Sequence, residues 1–317
     1  MQFKRIYKLV LGSPGVDGVV LSNVNDDGTY NPNAIKVTFD IDKDTTKKTN
    51  KSKITIYNLS DDTLDKLEKS DLVVELWAGY HLEQGLKRIF LGYAIEINTK
   101  MENDGKDVVI EIQACDGQVA LRDSIISVGY PIGTSTKTII NGIASNMGLS
   151  LFTSDDIEYL DYPNGFSFIG KTKDALDVVC NTLGASWSVQ NDVLQLIMSD
   201  GTTGARGLVF SADSGLIGFP ERVVRSAYAT AKKAETEVTS TRKKRKTNKK
   251  VERKQKKFGW KIKTLLAPTA NPGDAIRVES QVVTGWFKVE SLKHSGDIRG
   301  NDWVTEFELI EVMLDDE

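Results

Sequence analysis

Alternation with a period of two, broken once by a turn signal, is the feature that most narrows what this chain can fold into. Between Arg88 and Gly117 the sequence reads RIFLGYAIEINTKMENDGKDVVIEIQACDG. Tyr93, Ile95 and Ile97 fall on one face of the first arm and Val108, Ile110 and Ile112 on one face of the second, with Asn103, Asp104 and Gly105 between them. This pattern specifies a β-hairpin, because successive strand side chains point to opposite faces and Asn, Asp and Gly tolerate the left-handed backbone of a tight turn. A looser echo lies near the C-terminus in TGWFKVESLKHSGDIRGNDWVTEFELIEV. It offers an arm with Phe287 and Val289, a turn with Gly296, Asp297 and Gly300, and an arm with Val304, Phe307 and Leu309. The expectation is one kind of β unit used twice. Aligned on Gly92 and Gly285, however, the copies slip by one residue, which at period two turns the following side chains to the other face.

With 317 residues and 40% hydrophobic content the chain is globular, and its length allows two or three domains. No run approaches the roughly 20 apolar residues of a membrane span, and the apolar patch in MQFKRIYKLVLGSPG is too short for a secretory signal, so synthesis in a cytoplasm without export is expected. Cys115 and Cys180 cannot build a disulfide framework and read as buried small hydrophobes. His81 and His294 stand far apart without ligand-like neighbours, so no metal site and no cofactor is expected. The net charge of -3 hides an uneven distribution. Thirteen Lys/Arg against three Glu between Lys232 and Lys257 give +10, leaving 28 basic and 41 acidic residues, or -13, for the body.

Taken in order, KRIYKLVLG and VDGVVLS read as strands, and Ile35, Val37, Phe39 and Ile41 alternate with polar residues in a third. DKDTTKKTNKSK reads as a polar loop. KITIYNLS restarts the alternation, and Ser60 can cap a short helix with Leu64 and Leu67 inward. About seven short strands with one small helix fit a barrel or sandwich. After Arg122 the period changes. Thr134 or Ser135 can cap a helix carrying Ile139, Ile140, Ile143 and Met147 and ending at Gly148, and a second helix runs from Thr172 to Gly184. The strand FSFIG and a hairpin turning at Asn191 and Asp192 complete a small α+β unit. β character returns after Gly201, with a Gly/Pro-punctuated segment from Gly215 to Pro220 ahead of a strand through Val223 and Val224. The fold class expected is mainly β with an α+β insert. The domains are 1–130, 131–200 and 201–317, the last carrying a basic insertion at 231–257.

No residues carry readable chemistry. Asp61/Asp62 and Asp155/Asp156 are adjacent carboxylates in polar segments, which read as solvated turn or cap residues. There is no Gly-x-Ser-x-Gly, no phosphate loop and no Cys/His dyad, so no catalytic, cofactor-binding or metal residue is assigned and the chain is not read as an enzyme. The basic run centres on Arg242, Lys243, Lys244, Arg245, Lys246, Lys249, Lys250, Arg253 and Lys254. It has three readings: a solvated loop serving solubility, an electrostatic contact with an anionic partner, and a localisation signal. It lacks an aromatic residue, which argues against a base-stacking platform. Trp77, Tyr80, Trp260, Trp286 and Trp303 sit in or beside strands, where core packing is the first reading.

KITIYNLS at Lys53 to Ser60, the strand IFLGYAIEI followed by IEIQACDG, SGLIGFP at Ser214 to Pro220, and KTLLAPTANPGDAIRVES with GWFKVESLKHSGD extend over nearly the whole chain. Together they resemble the baseplate hub proteins of contractile-tailed bacteriophages, in particular the Mu-like kind. The Lys-rich insertion lies outside the shared pattern. The resemblance implies two tail-tube-like β-barrel domains flanking the α+β domain, and a homotrimer whose six barrels form a ring of approximate sixfold symmetry. Such a ring adapts a sixfold tail tube to a threefold central spike. The implied partners are the tail tube protein, the spike, other baseplate proteins, and DNA passing through the lumen without sequence-specific binding. The implied location is the virion baseplate, assembled in the host cytoplasm. A cell-wall-binding or peptidoglycan-degrading tail-tip protein is the alternative.

Overall fold

The computed structural model describes residues 4–12, 18–68, 72–81, 85–225 and 257–311. The chain first forms β1 (Arg5–Gly12), β2 (Val19–Ser22), β3 (Val37–Asp44), β4 (Lys51–Tyr57), helix α1 (Asp61–Glu68), β5 (Val73–Tyr80), β6 (Gly85–Glu102) and β7 (Asp107–Cys115). These strands lie in the order β3-β4-β7-β6-β5-β1-β2, every pair antiparallel. Alternation dictates the packing: Tyr7, Leu9, Leu11, Phe39, Ile41, Ile54, Ile56, Leu76, Ile110 and Ile112 turn inward and are buried. Each such side chain withdrawn from water contributes about 1.5–3 kcal/mol. The sheet curls around this core into an open barrel.

The β6–β7 turn is where it is expected, and Asn103, Asp104 and Gly105 have φ of 53°, 55° and 80°. The face assignment of the first arm is corrected. A bulge interrupts the ladder between Ala94 and Glu96, so Ala94 and Ile97 pack on the core while Ile95 points out to solvent. One extra residue in one strand inverts the alternation downstream of it.

The middle of the chain forms α2 (Gln118–Asp123), β8 (Ile125–Tyr130), β9 (Thr134–Ser135), α3 (Thr136–Met147), β10 (Ser150–Thr153), β11 (Asp161–Tyr162), β12 (Phe166–Lys171), α4 (Thr172–Leu183), β13 (Ala185–Gln190) and β14 (Val193–Met198). Ser135 Oγ accepts from the Lys137 amide at the start of α3, and Gly148 and Gly184 close α3 and α4 in the left-handed conformation. A separate core runs from Ala120 to Leu196 around Ile139, Ile143, Leu176, Val179 and Trp187. β8 pairs with β12, so the strand preceding residue 131 packs with this unit.

The last part forms β15 (Arg206–Ser211), β16 (Leu216–Arg225), β17 (Lys257–Leu265), β18 (Ala275–Glu279), β19 (Thr284–Asp297) and β20 (Trp303–Glu311). Their order is β16-β17-β20-β19-β18-β15 around a third core that includes Ile262, Ile276, Val289, Phe307 and Leu309. The segment from Gly215 to Pro220, expected to precede a strand, is largely inside β16. A bulge between Ile217 and Glu221 absorbs Gly218, at φ 71°, and Pro220. β16 is an edge strand, where a residue without an N–H breaks no second ladder.

The two β parts repeat one plan. β3, β4, β7, β6, β5 and β1 correspond in order to β16, β17, β20, β19, β18 and β15. The long hairpins carry a bulge at the same place, Ile95 in one and Glu290 in the other. Ala94 then matches Val289, Ile97 matches Leu292, Lys100 matches Ser295 and Ile112 matches Phe307, without a gap through arms and turn. Even the bond that starts each bulge recurs: the Ala94 amide donates to Leu72 and the Val289 amide to Asp274, both at 2.9 Å. Gly92 therefore matches Phe287, two positions beyond Gly285, and the one-residue slip seen in the sequence comes from reading Tyr93 and Ile95, in place of Gly92 and Ala94, as the inward face. The copies differ at one edge, where β1 runs antiparallel to β5 but β15 runs parallel to β18.

Candidate functional site

The two repeats meet edge to edge, where β3 of the first pairs antiparallel with β19 of the second from Thr38↔Asp297 to Asp44↔Ser291. All thirteen strands thereby join into one sheet. On its solvent face Lys263, Glu306, Lys293, Asp42 and Lys51 stand opposite one another in successive strands, a row of alternating sign that crosses the joint. Lys263 reaches Glu306 at 3.2 Å, Lys261 reaches Glu308 at 3.1 Å, and Asp40 accepts from Lys293 at 2.9 Å and from Ser295 Oγ at 2.7 Å. Each exposed pair stabilises by about 0.2–1 kcal/mol, so the row sets register more than it adds stability. A groove of about 650 Å³ follows this face and is lined by Asp42, Lys293, Glu306, Ile217 and Phe219 among others.

Beneath the joint the packing is apolar and interlocked. Trp303 of β20 belongs to the core of the first repeat and meets Phe39 edge to face at 5.3 Å. The Leu266 amide donates to Tyr80 Oη at 3.1 Å, and Arg5 donates to the carbonyls of Asp297 and Gly300 at 2.9 and 2.6 Å. His294 is fully buried, with Nδ1 2.9 Å from Thr305 Oγ1. Burial, reinforced by the nearby charge of Lys43, pulls its imidazole down to about 3, so it is neutral at physiological pH.

A second buried polar cluster seats the α+β unit. The Asn50 amide and Nδ2 donate to the two oxygens of Asp116 at 2.9 and 2.8 Å. Nδ2 also lies 3.0 Å from both the Val189 carbonyl and Gln190 Oε1. The Asn191 amide donates to Asp116 at 3.2 Å, and Gln190 Nε2 donates to the Asp44 carbonyl at 2.7 Å. On the other side Gln195 Nε2 donates to the Pro272 carbonyl at 2.9 Å, so the unit is tied to both repeats. Burial pushes Asp116 up to about 6, against the hydrogen bonds from Asn50. Burial likewise pulls Lys43 down to about 8, against the attraction of Asp116. Near pH 7 both are charged and oppose each other in the interior.

Sequence reasoning missed this cluster, since Lys43 and Asn50 lie in the tract read as a polar loop. The signal was present: Lys43 is in phase with the inward Val37, Phe39 and Ile41. Arg242, Lys243, Lys244, Arg245, Lys246, Lys249, Lys250, Arg253 and Lys254 lie outside the described residues. Tyr80 and Trp303 are buried, whereas Trp77, Trp260 and Trp286 are only half-buried. Cys115 and Cys180 are buried free thiols, the latter raised to about 12 by burial. Asp61, Asp62, Asp155 and Asp156 are exposed. Among the described residues no group of His, Cys, Asp and Glu is arranged to hold a metal, and no helix is long and apolar enough to cross a membrane.

Four edges of the joined sheet have no partner strand among the described residues: the outer sides of β2, β15 and β16, and the side of β6 beyond Ala94, where β5 has ended.

No protein-family model and no curated protein matches the sequence. Solved structures do match in fold. The 43 kDa tail protein of prophage MuSo2 from Shewanella oneidensis superposes with a TM-score of 0.59 at 11% identity, over 95% of this chain and 96% of that one. A tail protein of Neisseria meningitidis MC58 gives 0.57 at 10% identity, over 96% of each chain. The Escherichia coli c3393 protein gives 0.53 at 11% identity, over 88% of this chain and 74% of its own. It is described as a type VI secretion component with structural similarity to the T4 tail proteins gp27 and gp5. The chain has the fold of phage tail proteins, mainly β with an α+β insert.

Proposed function

We propose that this chain is a non-enzymatic structural component of a phage-type contractile tail, the baseplate hub. Three copies form a ring of six related barrels, which presents near-sixfold symmetry to the tail tube and threefold symmetry to the central spike. The observation that carries this reading is the repeat itself: two sheets of one plan, already joined edge to edge, with the counterpart of each joined edge free on the other sheet. Head-to-tail contacts of this kind close into a ring when the rotation between units divides a full turn. The fold shared with tail proteins of a Mu-type prophage and of a type VI secretion component supports the assignment.

In this reading the solvent face of the joined sheet lines the channel through which DNA passes. Its acids are interleaved with lysines, as in Lys53, Glu111 and Lys100, whose ion pairs measure 3.1 and 2.7 Å. A wall of alternating sign offers DNA neither a continuous basic track to bind nor a strong field to oppose it. The basic insertion, from Arg242 to Lys254, contacts an acidic face of the spike or of a neighbouring baseplate subunit. The particle is assembled in the host cytoplasm and the hub ends in the virion tail. Native mass measurement of the purified chain, alone and with the adjacent tail protein, tests the assembly: a trimer supports it, and a monomer under both conditions overturns it.

A further inference from the structure

The intrachain joint has a counterpart that the repeat places between chains. Transferring β3·β19 by the correspondence of the two repeats puts β16 where β3 stands and β6 where β19 stands. Both strands have an edge without a partner among the described residues, and of the free edges these are the two that the correspondence brings together. The joint fixes the register too. Asp40 faces Ser295 and Lys43 faces Leu292. Asp40 and Glu221 match because they face Lys53 and Lys261 at equivalent positions of β4 and β17, and Lys43 then matches Val224. Ser295 matches Lys100 and Leu292 matches Ile97.

We infer that β16 of one copy pairs antiparallel with β6 of the next, with Glu221 opposite Lys100 and Val224 opposite Ile97. This rests on the ring reading and deepens it by naming the strands and the register. Three features at the free edges support a second copy as the occupant. The Glu221–Lys261–Glu308 row of alternating sign gains Lys100 at its open end, so the charge pattern continues across the contact. An apolar residue meets an apolar residue at Val224 and Ile97. Phe219 and Met101, which are 68% and 74% exposed, fall beyond Glu221 and Lys100 at the same end of the ladder. A ten-residue edge strand carrying exposed Ile217, Phe219 and Val224 invites pairing, and a specific partner removes the hazard.

The test is cysteine bridging in the full chain. Opposed residues in an antiparallel pair have Cα atoms about 4.5–5.5 Å apart, within the range a disulfide spans. Lys100→Cys with Glu221→Cys is expected to give, on oxidation, a ladder of linked dimer and trimer that stops at trimer. Thr99→Cys with Glu221→Cys, one residue out of phase, is expected to stay unlinked. Asp40→Cys with Ser295→Cys is the equivalent pair inside the chain; its bridge shows that the fold survives. A native trimer that bridges internally but not between copies overturns the strand pairing and leaves the ring. A native monomer overturns both. As a second measurement, Lys100→Glu is expected to lower the trimer fraction and Lys100→Glu with Glu221→Lys to restore it; no restoration counts against the register.

Discussion

His294 ties stability to pH at the joint between the two repeats. The ring is fully buried between β3 and β20, and its pKa lies near 3 against an ordinary value of 6.5. The native state therefore binds fewer protons than the unfolded chain between those values, so stability is complete above about 6.5 and falls as pH is lowered. At pH 5 the unfolded imidazole is charged and the native one is not; the difference of about 1.5 pH units corresponds to about 2 kcal/mol, growing to about 5 kcal/mol near pH 3. His294→Leu removes the titrating group. It also leaves the Thr305 hydroxyl without the ring nitrogen, a loss of about 1 kcal/mol that is the same at both pH values. Urea unfolding followed by tryptophan fluorescence at pH 7.5 and pH 5.0 reads the effect through Trp303, buried in the adjoining core. The other carboxylates and lysines around the joint are common to both proteins. The wild type should lose about 2 kcal/mol more than the variant on acidification. Equal losses would refute the assignment of a neutral, buried imidazole.

Asn50→Ala should destabilise by about 2–4 kcal/mol, because Asp116 keeps its charge in the interior but loses a side-chain donor. Faster proteolysis on either side of the α+β unit is the accompanying readout, and a change under about 0.5 kcal/mol would count against the cluster as its seat. Gly296→Ala places a methyl 2.3 Å from the Phe39 ring at the joint, so a loss of about 1–3 kcal/mol in urea is expected. An unchanged midpoint would mean that β3 and β19 are less tightly fitted than described. Deleting Thr236 to Lys254 should weaken association with the spike at low salt and change little at high salt; equal binding of both proteins at both salts removes the electrostatic contact.

Local structure was readable where one residue type answers one backbone demand. Asn103, Asp104 and Gly105 announce their turn, and Gly148 and Gly184 end their helices because left-handed caps favour glycine. The bulges at Ile95 and Glu290 were not readable, since a bulge is defined by a partner strand that the sequence does not display. Period-two reading consequently put Tyr93 and Ile95 inward, which set the two copies out of phase by one residue. The buried cluster was hidden for a related reason. Lys43, Asn50 and Asp116 look like loop residues until burial by the distant Val189 and Gln190 is known. The joint rests on pairing between strands some 250 residues apart, beyond any local pattern.

Imaging of the assembled ring by electron cryomicroscopy tests the central claim most directly. The account predicts three chains around one axis, with six sheets at near-equal angular steps and the β16 edge of each chain seated along β6 of the next. Two repeats of one chain lying at unrelated angles, or chains that do not share an axis, would contradict it.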